Sequence, residues 1–73
     1  MQKKLYQELW NLRFQKMLAL EEQSIVDYKD LIKECNKFND EETVEKLKQL
    51  IVDETRHAKL VRELIKIVKR QGE

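Results

Sequence analysis

The sequence predicts an all-α chain, a hairpin of two long antiparallel helices that a second copy completes into a four-helix bundle. Three observations lead there. Proline is absent and the single glycine stands at position 72, so nothing interrupts a helix before the end of the chain. Hydrophobic residues (41%) and charged residues (40%) are balanced and recur with helical period, which argues against both sheet and disorder. The apolar faces so formed are too broad for two helices to cover, and 73 residues make a core too small to stand easily alone. A single domain, residues 1–73, is expected.

Residues 2–38 form the first predicted helix. Its seam runs Trp10, Phe14, Met17, Glu21, Ser24, Tyr28, Leu31, Cys35 and Phe38, at spacings of three and four, and Leu5, Leu9, Leu12, Leu18, Ile25 and Ile32 widen it. The pattern pauses at Lys37-Phe38-Asn39-Asp40, which places the turn at 38–40. Asn39, with Glu42 three residues on, is the expected N-cap and capping-box acid of the next helix. That helix is predicted over 40–70, with Gly72 supplying a left-handed residue past its end. Its seam reads Leu47, Leu50, Glu54, His57, Val61, Leu64 and Val68, and Glu42 with Lys46 is an expected surface ion pair. A short connection makes the two helices antiparallel.

The net charge of +1 gives no reason to expect a nucleic-acid or membrane partner. Asp40, Glu41, Glu42 and Glu45 crowd the start of the second helix and Lys66, Lys69 and Arg70 its end, the arrangement that complements a helix dipole. Lys3, Lys4, Arg13 and Lys16 are read as a solvated face. One cysteine, Cys35, forms no internal disulfide and sits in the seam as a small core residue. With no apolar run of transmembrane length and no signal-peptide block, the expected location is the cytoplasm.

Polar residues interrupt both seams at one level. Measured from a turn at Asn39, Glu21 lies about 28 Å along the first helix and the midpoint of Glu54 and His57 about 24 Å along the second. Burying an ionised group without a partner costs several kcal/mol, roughly, so carboxylates in a seam are paired, neutralised or metal-bound. A histidine three residues after a glutamate presents its side chain from the next turn of the same face, within reach of the same ion. A homodimer brings together four carboxylates and two imidazoles, and four carboxylates balance two divalent cations. That donor set suits iron(II) or manganese(II), and zinc is a possible substitute. Two irons joined by carboxylates suit the oxidation of iron(II) or the reduction of dioxygen or hydrogen peroxide. Glu22, about 100° round the helix from Glu21, points off the seam.

Glu21 with Tyr28 seven positions on, followed by Glu54-Thr55-Arg56-His57 and then Ala58-Lys59, resembles the repeating half of the ferritin-like proteins, especially rubrerythrins and bacterioferritins. The resemblance covers residues 17–68, including the 33-residue separation of Glu21 from Glu54. It implies a di-iron carboxylate site in a four-helix bundle, with one glutamate from each of two helices and Glu-x-x-His from each of the other two. It also implies that Glu54 bridges the metals, that Glu21 and His57 are terminal or bridging ligands, that Tyr28 is a nearby phenol, and that Asp53 orients the ligand histidine. Glu21, Glu54 and His57 are thus the expected metal-binding and catalytic residues. The single copy of the motif is similar to encapsulated ferritins, whose centre forms across a subunit interface inside a protein shell. A targeting tail like theirs is not expected at Lys69-Arg70-Gln71-Gly72-Glu73, and no cysteine pairs support a rubredoxin-type electron-transfer centre, so any electron donor is a separate partner. Two other functions stay open on these residues, a metal-binding protein without turnover and a helical-hairpin interaction module without metal.

Overall fold

A computed structural model describes residues 2–72, with side chains placed for 4–71. Lys3, counted above with the solvated face, lies outside the described side chains. The chain is an all-α hairpin of α1 (Gln2–Lys37) and α2 (Glu41–Gly72), 57 Å long and 14 × 11 Å across. Among the described residues no helix is long and apolar enough to cross a membrane.

The turn is built differently from the expected cap at Asn39. Asn39 adopts the left-handed conformation (φ 56) and ends α1 instead of starting α2. Its N–H donates to the Asn36 carbonyl (3.3 Å), and the N–H of Asp40 donates to the Cys35 carbonyl (3.2 Å). This pair of bonds is a Schellman closure, and asparagine tolerates the left-handed backbone better than most side chains. Asp40 is the N-cap, its Oδ1 accepting from the N–H of Thr43 at 3.1 Å. Those bonds with Thr43 hold the Asp40 carboxyl below its ordinary value of 3.8. At the far end α2 runs through Gly72, and no described glycine has positive φ, so the expected left-handed residue there is absent. The surface ion pairs of α2 are Glu45 with Lys48 (3.7 Å) and Asp53 with Arg56 (3.6 Å), not Glu42 with Lys46.

The helices meet along one seam per helix, and each lies partly beside the expected one. On α2 the buried and half-buried side chains are Val44, Leu47, Ile51, Glu54, Ala58, Val61, Ile65 and Val68. On α1 an unbroken series of four and three runs Gln7, Asn11, Phe14, Leu18, Glu21, Ile25, Tyr28, Ile32 and Cys35. The expected seam residues Met17, Leu31, Phe38, Leu50, His57 and Leu64 fall one position round and stay exposed. The physical reason is composition. The α2 series that turns inward is apolar at every position but Glu54, with Ala58 only 1% exposed, whereas the stripe beside it carries His57 and Gln71. The outer stripe carries Trp10, Met17, Ser24 and Leu31 on α1, Phe38 in the turn, and Leu50, His57, Leu64 and Gln71 on α2. Ser24 is at home there because its hydroxyl donates to the Leu20 carbonyl at 3.0 Å.

Candidate metal centre

Glu21 sits halfway along α1, where the inner seam places its carboxylate against α2. Glu54 occupies the matching seam position of α2, and His57 follows one turn later on the adjoining outer stripe. The fold brings the three together, each offering one ligand atom, and these atoms all lie within 4.8 Å of one another. Glu21 and Glu54 are half-buried and His57 is exposed. This places all three residues predicted from the two interrupted seams in one cluster.

The carboxylate of Glu21 is the chemically unusual member. Its Oε2 is buried and has no hydrogen-bond partner. A buried acceptor without a partner costs about 1–3 kcal/mol, more if charged, and native proteins hold few of them. Glu22 does not share that position. It turns outward to accept a hydrogen bond from Arg62 at 3.0 Å, a contact across the helices that ties α1 to α2 directly beside the cluster. Both partners are half in solvent, which keeps the pair weak, and its contribution is to register more than to stability.

No family model, characterised protein or solved structure matches the chain. The chemistry of the centre is therefore carried by its own side chains. Two carboxylates and an imidazole are the hard and borderline donors that iron(II), manganese(II) and zinc(II) accept, and a cation beside the orphaned Oε2 satisfies it, so the residues fit a divalent metal. Three donors are fewer than the coordination number of such ions, and of the three residues His57 is the one exposed to solvent.

The two residues expected to support the ligands stand apart from that cluster. Asp53 is exposed, and its Oδ1 lies 3.6 Å from Arg56, so among the described residues it orients no ligand histidine. Tyr28 is half-buried on the seam two turns from Glu21 and makes no described hydrogen bond to the cluster. Sequence reasoning turned Glu22 off the seam but missed its pairing with Arg62 and the burial of Ala58. The signals were an acid next to Glu21 and the one small residue that follows His57.

Proposed function

We propose that the chain is a di-iron carboxylate protein that oxidises iron(II) or reduces dioxygen or hydrogen peroxide at a site shared between two copies. The observation that carries this is the convergence of Glu21, Glu54 and His57 within 4.8 Å, with a carboxylate oxygen of Glu21 buried and unpartnered. The spacing of these residues, which is what makes them resemble the ferritin-like half-motif, supports the same reading.

In a dimer of hairpins the four glutamates hold two divalent ions with their charge balanced, and the two histidines add nitrogen donors. Manganese or zinc are substitutes in the same donor set. Glu21 and Glu54 provide the negative potential that gathers cations, and the apolar seam above and below them limits the entry of water. Arg62 keeps Glu22 turned away, so that one carboxylate of the adjacent pair faces inward. Bound irons supply the electrons that an oxygen substrate takes up. The setting consistent with an unpaired Cys35 is a reducing cytoplasm, inside or outside a protein compartment.

Metal analysis and native mass spectrometry of the iron-loaded chain test this together, with iron(II) oxidation followed by stopped flow. The expected result is a dimer with two irons that oxidises iron(II), and a Glu54→Ala variant that has lost both properties. Iron bound without oxidation reduces the assignment to a metal-handling protein. Absence of bound metal leaves a helical-hairpin interaction module. An iron-loaded Glu54→Ala variant that oxidises iron normally excludes this site as the centre.

A further inference from the structure

At the open end of the hairpin the outer stripe widens into an apolar groove. Tyr6, Trp10 and Phe14 line one wall and Leu64, Ile67 and Val68 the other, with Gln71 at the mouth. The aromatic wall is ordered as a ladder, with ring centroids 5.9 Å apart from Tyr6 to Trp10 and 5.6 Å from Trp10 to Phe14. Arg13 lies 5.2 Å from the centroid of the Trp10 ring and closes the side. At the other end of the hairpin Phe38 projects from the turn with 80% of its surface exposed. The molecule thus has an aromatic cleft at one end and an unsheltered aromatic ring at the other.

We propose that the groove of each chain receives Phe38 of a second copy, in an antiparallel dimer whose two-fold axis crosses the hairpin at Glu21. This rests on the shared-site function above and adds the orientation and the contact that fixes it.

The area calls for a second copy. The hairpin exposes 6152 Å², whereas a monomeric protein of 8.9 kDa exposes about 4,800 Å². The excess of ~1,300 Å² is larger than the ~800 Å² that each partner contributes to a stable interface. Part of that area lies on the outer stripe, where Met17, Leu31, Phe38, Leu50 and Leu64 are exposed, and part elsewhere, at Leu20, Val52 and Leu60 among others. Register then places the ring. Phe38 stands seventeen residues from Glu21, about 26 Å along the helix axis. Seventeen residues to the other side of Glu21 is Lys4, within one turn of Tyr6. A two-fold axis at Glu21 therefore carries Phe38 to the mouth of the partner's groove while holding both clusters at one level.

Charge selects this orientation over the parallel one. Residues 30–48, around the turn, carry six acidic and four basic side chains. Residues 1–13 and 63–73, at the open end beyond the Glu22–Arg62 pair, carry three acidic and six basic. An antiparallel dimer sets the acidic end of each copy beside the basic end of the other, whereas a parallel dimer sets like against like.

Two single-cysteine variants read the orientation, Phe38→Cys and Tyr6→Cys, each in a Cys35→Ser background. Phe38 and Tyr6 are both exposed, so Cys35→Ser is the sole change to the inner seam, and it is common to both variants. They are treated with a short bis-maleimide, alone and mixed, with iron(II) under argon. The expected result is cross-linked dimer from the mixture in excess of either variant alone by about tenfold, as proximity within a complex gives. The emission of Trp10, the sole tryptophan, is expected to shift to the blue on dimerisation and to lose that shift in Phe38→Ala. If Phe38→Cys links to itself in a dimer holding two irons, the orientation is wrong and the shared metal site stands. If such a dimer shows neither cross-link and no change at Trp10, the groove serves another protein and the inference falls. A chain that stays monomeric with iron overturns both the orientation and the shared site.

Discussion

The inner seam and the outer stripe run side by side along the same two helices, one residue apart, and differ in what they leave to solvent. The inner seam holds every fully buried hydrophobic side chain among the described residues, Val44, Leu47, Ala58 and Val61. The outer stripe keeps Met17, Leu31, Leu50 and Leu64 in water. The series that closes the hairpin is apolar on α2 at every position but Glu54, and the stripe beside it leaves large apolar side chains exposed. The candidate centre sits astride this border, with Glu21 and Glu54 on the inner side and His57 on the outer. The proposed function thus gives adjacent faces two jobs, closing one chain and completing a site.

The sharpest way to break that division is a matched pair of aspartates. Val61→Asp puts an unpaired carboxylate into the seam and is expected to cost ~3–5 kcal/mol, most of the stability of so small a domain. Circular dichroism then shows loss of helix. Leu64→Asp, three residues on and on the outer stripe, is expected to keep the helical signal while self-association measured by sedimentation is lost. Loss of helix in both variants merges the two faces into one core that forms only on assembly.

A smaller effect of opposite sign is expected where the seam is polar. Replacing Glu21 with leucine removes the orphaned carboxylate oxygen, and the metal-free chain gains about 1–3 kcal/mol in urea unfolding. The same variant no longer gains stability from added iron(II), whereas the native chain does, because a ligand bound only to the folded state stabilises it. A metal-free Glu21→Leu chain weaker than the native one shows instead that the carboxylate is satisfied in solution.

Asp40 belongs to neither face and provides the mildest test. Its carboxyl is held below its ordinary value by Thr43, so its contribution is present above pH 3.8 and is lost as the pH falls below that. Asparagine keeps the cap without the proton. Asp40→Asn is therefore expected to flatten the acid side of a Tm against pH curve and to leave metal binding as it was.

The two helices, the short turn and the three clustered residues were legible from the sequence because each has a local signal. Helical period shows in any stretch of this chain, and depth along two helices joined by a short turn is a matter of counting. The choice between inner seam and outer stripe was not legible. Leu50, His57 and Leu64 make as regular a series as Ile51, Ala58 and Ile65, and the burial of Ala58 beside an exposed His57 shows which one turns inward. Asn39 misled for a related reason, since the same residue type suits the start of a helix and the left-handed position after one. The aromatic ladder of Tyr6, Trp10 and Phe14 was visible as a spacing of four, but its meaning as a wall depends on Leu64 and Val68 opposite it, more than fifty residues later.

The Schellman turn at Asn39 also bears on the order in which the molecule is made. Residues that face each other across it are close in the chain, and their separation grows steadily with distance from the turn. Cys35 and Val44 are nine apart, Glu21 and Glu54 thirty-three, Phe14 and Val68 fifty-four. Loop-closure entropy rises with that separation, so pairing proceeds outward from Asn39 like a zipper. The carboxylates meet only after the helices have joined between them and the turn, and the aromatic groove closes last. In that order Glu21 and Glu54 are brought together before Tyr6, Trp10 and Phe14 find Leu64 and Val68.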